Sequence, residues 1–236
     1  MLLLALDTAT LTLSAALIER PAQSRGPEDL VLDRRVVEPP TPHSSVLPRI
    51  IEEMLSGAGK VPKDLAAVVI GLGPGSFTGL RISLSTAKGL CYATERPLIG
   101  ASSLGAMALS ACADVPEGTL LVPCLDARKG EVYAGFFRKR GGEVSEEAAE
   151  AAVGPEALLA RLSGEASVEV FGIGREAYPA LAALPAPRTR VKTPDAAALA
   201  KQVRALPEYR AQALFALEPH YVRPSDSEWT AKPKKK

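Results

Sequence analysis

Leu2 to Leu6 form a short apolar run that stops at Asp7-Thr8-Ala9-Thr10. Beyond it Leu11, Leu13, Ala15 and Leu17 alternate with Thr12, Ser14 and Ala16, the period-two pattern of a half-buried strand. Two strands joined across the DTAT turn predict a β-hairpin. Pro, Gly and Ser in residues 21–29 predict a loop, and Leu30 to Val37 a third strand closed by Pro39 and Pro40. Next, Val46, Leu47, Ile50, Ile51, Met54 and Leu55 recur at helical spacing behind Ser44-Ser45, which can cap the helix. Pro48 fits its first turn, where amides lack intrahelical partners, and Gly57 and Gly59 end it.

Ala66 to Leu72 is a continuous apolar run of strand length that enters a glycine-rich turn. Ser76 to Thr94 then predicts a long helix and Pro97 to Ile99 a short strand, an order that suggests a right-handed crossover onto a parallel sheet. The second half repeats the alternation more weakly. Strands are expected over Thr119–Leu125 and Gly130–Arg138, paired as a hairpin, and over Val168–Ile173. Helices are expected over Pro155–Leu162, Arg175–Leu184 and Pro194–Leu206. Two αβ halves meet near residues 100–118. This divides the chain into lobes 1–105 and 106–223 and a basic tail, 224–236, whose KPKKK end reads as a solvated charge run.

Charge and cysteine content narrow the chemistry. With 28 Lys+Arg against 27 Asp+Glu the net charge is +1, which argues against a protein that grips nucleic acid by itself. Three cysteines without a C-x-x-C pair make a zinc site or disulfide framework an unlikely expectation. Cys91 falls on an apolar helix stripe and Cys124 inside a strand, so both read as small buried hydrophobes. The N-terminus lacks the basic flank of a signal peptide, and no stretch reaches the roughly 20 apolar residues of a membrane span, so a cytoplasmic protein is expected.

The turn Gly73-Pro74-Gly75-Ser76-Phe77-Thr78-Gly79 invites a phosphate-loop reading and fails it. Pro74 stands where the first glycine of G-x-x-x-x-G-K-[ST] belongs, Leu80-Arg81 follow in place of Lys and Ser/Thr, and the G-x-G-x-x-G pattern also breaks at Ser76. There is no G-x-S-x-G, and neither His43 nor His220 has a triad setting. Asp7 ends a buried strand, where a carboxylate is costly unless hydrogen-bonded: it caps the DTAT turn or is the remnant of a phosphate or metal loop. Asp126 with Arg128 has the same two readings.

The run GLGPGSFTGLRISLSTAKGLCYATERPLIGASSL, with LDTAT at the start, HSSVLPRI at 43–50, LDARKGEVYAGFF at 125–137 and HYVRP at 220–224, closely resembles the TsaB (YeaZ) family. This family supplies a subunit of the bacterial tRNA threonylcarbamoyladenosine synthase. The resemblance implies an α/β fold of two ribonuclease-H-like lobes of the actin/Hsp70/sugar-kinase type. It implies a non-catalytic scaffold that activates a TsaD-type catalytic subunit and works with a TsaE-type ATPase to modify adenosine 37 of tRNAs reading codons that begin with A. TsaD carries two metal-binding histidines after its corresponding strand. Here Ala101-Ser102-Ser103-Leu104-Gly105-Ala106 stands instead.

No cofactor is therefore expected in this chain; ATP and metal belong to the partner subunits, tRNA contact is indirect or weak, and Asp7, Thr8 and Thr10 mark a vestigial phosphate loop. The partner surface is expected on the two helices of the first half. Its candidates are Val46, Ile50, Ile51 and Met54 from one, and Phe77, Gly79, Leu80, Ser83, Leu84, Thr86 and Ala87 from the other. The same surface is expected to make a homodimer when the partner is absent. Packing of both helices wholly into the chain's own core is the competing account, and an independent ATP-dependent kinase or peptidase of the same fold is the rival function.

Overall fold

The computed structural model describes residues 1–21 and 29–223; the expected basic tail and part of the loop at 21–29 lie outside them. The first sheet is built from β1 (Leu2–Asp7), β2 (Leu13–Glu19), β3 (Leu30–Val37), β4 (Leu65–Gly71) and β5 (Leu98–Ala101), in spatial order β3-β2-β1-β4-β5. β1, β2 and β3 form an antiparallel meander, and β4 and β5 add parallel to β1. The second sheet contains β6 (Leu120–Arg128), β7 (Glu131–Arg140), β8 (Glu143–Val153) and β9 (Val168–Phe171), in order β8-β7-β6-β9. β9 runs parallel to β6 while β6, β7 and β8 again form a meander. The second sheet thus repeats the first four strands of the first in the same order and sense. The expected pair of ribonuclease-H-like lobes is what the chain forms.

Helices α1 (His43–Gly57) and α2 (Phe77–Thr94) lie side by side on one face of the first sheet. Their apolar stripes, Val46, Leu47, Ile50, Ile51, Met54 and Leu55 from α1 and Leu84, Ala87 and Cys91 from α2, close over Leu4, Leu6, Leu13, Leu17, Val68 and Ile70. Ser76 caps α2 by accepting the Gly79 amide at 3.2 Å. No side chain caps α1, which starts at His43 after Pro42, and Pro48 is its sixth residue rather than part of its first turn. The opposite face of the sheet packs on α3 (Ser103–Ala111) and α7 (Ala196–Lys201).

Several elements differ from expectation. α3 lies in the junction near residues 100–118, where no element was expected: Leu104, Ala106, Met107, Ala108 and Ala111 are buried around the helix, which leaves no amphipathic stripe to read. β8, with the sequence EVSEEAAEAAV, is a strand made of Glu and Ala, poor strand formers that the long β7 ladder overrides. Residues 175–184 do not form one helix, because Pro179 begins α6 (Pro179–Ala182) just after α5 (Ile173–Ala177). α4 (Pro155–Leu162) matches its expectation, and α8 (Ala211–Ala216) adds a helix beside α2. The division at residue 105 is also not a clean cut. After β9 the chain returns, so that α7 and α8 cover the first sheet and not the second.

Most of the expected partner surface lies inside this core. Val46, Ile50, Ile51, Met54, Leu80, Leu84 and Ala87 are buried, as are Gly79 and Ser83, while Phe77 is exposed and Thr86 half-buried. The sheet buries the α1 stripe, and the first hairpin presses on the start of α2: a Cβ at Gly79 would stand 2.1 Å from the Thr8 carbonyl oxygen. Small residues there admit the turn of the chain's own first hairpin, not a foreign helix. Gly79→Ala is therefore expected to lower stability by about 1–3 kcal/mol, read as a lower urea midpoint. An unchanged midpoint would contradict this packing.

Candidate functional site

The first hairpin, the start of α2 and the β6–β7 hairpin enclose a cleft of about 570 Å³ between the lobes. Thr10, Leu11 and Thr12 line one wall, Gly75 to Phe77 the floor, and Leu125 to Arg128 with Tyr133 the other wall. β1 ends at Asp7, and β6 carries Asp126 two residues before its end at Arg128, in corresponding places of the repeated topology.

Asp7 turns away from the cleft. Its Oδ1 accepts the Ala9 amide at 2.8 Å and its Oδ2 the Ser103 hydroxyl at 2.6 Å, in a space open only because residue 71 is glycine. A Cβ at Gly71 would stand 2.0 Å from Oδ2. Burial pushes the Asp7 carboxyl up to about 6, against the lowering pull of those two hydrogen bonds. The Thr8 hydroxyl lies 2.8 Å from the Gly79 carbonyl and 2.6 Å from Ser83 Oγ, and Thr10 bonds back to Thr12. Of the three expected phosphate-loop residues only Thr10 lines the cleft. The α2 N-terminus is also engaged within the chain: the Ser76 amide donates to the Ala9 carbonyl at 2.7 Å and the Gly79 amide to Ser76 Oγ.

Asp126 caps its own turn, accepting the Arg128 amide at 2.8 Å and the Tyr178 hydroxyl at 3.0 Å. Among the described residues no three or more His, Cys, Asp or Glu gather closely enough to hold a metal. Cys91 and Cys124 are buried, and burial pushes both thiols up to about 12, which leaves them inert as nucleophiles.

A polar cluster absent from the sequence reading joins the lobes instead. Ser102, the N-cap of α3, donates to Glu150 Oε1 on β8, and His220 Nδ1 lies 3.2 Å from Glu150 Oε2. Gln202 brackets Ser102, accepting its amide at 3.2 Å and donating to its carbonyl at 2.9 Å. Burial raises the Glu150 carboxyl, while Ser102 and His220 lower it. The carboxylate sits between the serine and the imidazole, so the hydroxyl bonds to Glu150 and not to His220, and the serine–histidine pair of the acyl-transfer triad is not assembled. Ser102 was met in the sequence only where TsaD carries its histidines, and the helix that it caps was not expected. Glu150 and His220 were not legible as its neighbours, since they lie 48 and 118 positions further along the chain.

The outer face of the α1–α2 pair carries a second feature. An apolar groove of about 440 Å³ runs between the helices, lined by Pro48, Ile51, Leu55, Val61, Thr86 and Leu90, with Glu52 and Lys60 among its polar residues.

The family model described as TsaD, tRNA N6-adenosine threonylcarbamoyltransferase, matches residues 40–209. The chain is 35% identical over 185 residues to the tRNA threonylcarbamoyladenosine biosynthesis protein TsaB of Escherichia coli, covering 77% of this chain and 75% of that one. It is 32% identical over 142 residues to the protein of the same name in Bacillus subtilis, covering 60% and 57%. A Pseudomonas aeruginosa structure described as an uncharacterized protein with similarity to peptidase YEAZ superposes with a TM-score of 0.73 at 27% identity, over 94% of this chain and 99% of that one. YeaZ from Pseudomonas aeruginosa superposes at 0.68 with 28% identity, over 85% and 89%.

The buried Asp7 has a consequence for stability against pH. Its folded value of about 6 lies above the ordinary carboxyl value, so the stabilising contribution is complete in acid and is lost as pH rises from about 4 to 6. The loss is on the order of 3 kcal/mol. Urea midpoints of Asp7→Asn should stay flatter than wild type across that window, and parallel curves would sink the assignment.

Proposed function

The chain belongs to the TsaB (YeaZ) family, and on that premise we propose that it serves tRNA threonylcarbamoyladenosine biosynthesis as a non-catalytic subunit that holds a TsaD-type catalytic partner. The apolar groove between α1 and α2 is the observation that supports this most. Helices pack by setting ridges into grooves at separations of about 8–10 Å, and a pair of parallel ridges with an open apolar furrow is a ready seat for two more helices. The furrow lies outside the core, so filling it leaves the fold intact. Of the surface first expected to make this contact, Ile51 and Thr86 line the furrow and Phe77 lies exposed at the start of α2, while Pro48, Val61 and Leu90 take the place of the buried remainder.

Inward-turned polar groups support the non-catalytic half of the reading. Asp7 and Thr8 spend their hydrogen bonds on Ser103, Ala9, Gly79 and Ser83, which leaves them poorly placed to grip a phosphate. In this reading ATP and metal reside in the TsaD-type subunit and a TsaE-type ATPase, and tRNA is held mainly by the partner. A second copy of this chain occupies the same groove when the partner is absent.

Reconstitution tests the reading. tRNA incubated with the two partner subunits should gain the modified nucleoside only when this chain is added, and the chain alone should neither modify tRNA nor hydrolyse ATP. Turnover by the chain alone would overturn the proposal. Val61→Asp and Thr86→Arg should keep the wild-type circular dichroism while weakening partner binding at least about 10-fold, or about 1.4 kcal/mol. Wild-type affinity in both would place the partner elsewhere.

A further inference from the structure

Residues His220 to Arg223 anchor alternately on the two lobes. On the first, the His220 amide donates to the Leu72 carbonyl at 2.8 Å, just beyond β4. The Tyr221 ring packs on Phe77 with centroids 5.5 Å apart, and its hydroxyl accepts from Arg81 Nε at 3.1 Å. On the second lobe, His220 Nδ1 meets Glu150 at 3.2 Å and Arg223 Nη1 meets Glu131 Oε2 at 3.0 Å, one acid on β8 and the other on β7. We propose that this segment, together with the Ser102–Glu150 hydrogen bond, is an interlobe strap that sets the opening of the cleft without any ligand.

An apolar contact between the lobes is of a different kind. Ala9 and Leu80 of the first lobe meet Leu121, Leu125 and Phe171 of the second around the apolar α3. Hydrophobic contact is non-directional, so it holds the lobes together while allowing them to turn about α3. Charge-assisted hydrogen bonds fix distance and direction. Exposed ion pairs contribute little, and Arg223–Glu131 is partly exposed. Glu150 differs because its side chain is only 7% exposed, so removal of its partners leaves a buried carboxylate unsatisfied. Glu146 on the same strand adds a like charge beside it. The strap also rests on Phe77 and Arg81 at the start of α2, which ties the cleft to the helix pair.

Spin labels across the cleft mouth test this on the chain alone, so its failure is separable from failure of the partner reading. Leu11→Cys and Arg128→Cys, in a Cys112→Ser background, place one label on each lip. The starting chain should give one narrow distance distribution. Glu150→Ala and the double variant His220→Ala/Tyr221→Ala should broaden it and shift it to longer distance. Glu150→Gln should stay narrow, because its carbonyl still accepts from Ser102 and its amide can donate to His220. Should Glu150→Ala fail to fold, the double variant decides, since both of its side chains are largely exposed. A folded double variant with the starting distribution would overturn the strap, as would a Gln variant that opens like the Ala one.

Discussion

The first hairpin touches α2 backbone to backbone, and the rest of the molecule is arranged around that contact. Glycine at 75 and 79 is required there, because a Cβ at either position would stand 2.3 Å or less from the carbonyl oxygen of Ala9 or Thr8. The approach draws the Thr8 hydroxyl into the helix and turns Asp7 toward Ser103. It places α2 low on the sheet, so that Leu84, Ala87 and Cys91 pack inward and a different row of the helix faces out. One steric allowance decides both which polar groups are spent inside and which apolar groups remain outside.

This division separates the cleft between the lobes from the open apolar surface. The cleft keeps its walls, yet the side chains at its strand ends serve the chain's turns: Asp7 holds Ala9 and Ser103, and Asp126 holds Arg128 and Tyr178. The open apolar surface is displaced to the back of the first lobe, between α1 and α2. The concave site is thus flanked by internally bonded aspartates, and the apolar furrow lies on a helical face, where the proposed partner would pack.

The strap and the return of α7 and α8 onto the first sheet make the lobes interdependent. The chain leaves the first lobe at α3, builds the second sheet, and comes back to cover both faces of the first. The first core therefore cannot close until residues beyond the second sheet are in place. A cut near residue 105 would remove Leu199, Val203 and Leu214 from cores to which they belong.

Local pattern was enough for the meander, for β4 and α2, and for the stripe of α1, because each carries a strong period and a clear terminator such as Pro39 or Gly57. It was also enough for the family, whose motifs span the chain. Tertiary structure alone decided the rest. β8 exists because β7 offers it a ladder, although Glu and Ala favour helix. α3 is buried around its circumference and so shows no period. The stripe Val46–Met54 reads the same whether it faces a sheet or a partner; only the sheet beneath it settles which. Glu150, Ser102 and His220 meet from three separate segments, and no local spacing encodes a contact made by the path of the whole chain. Sequence fixes what a segment can bury, while the neighbour that covers it is chosen only when distant elements compete for the same surface.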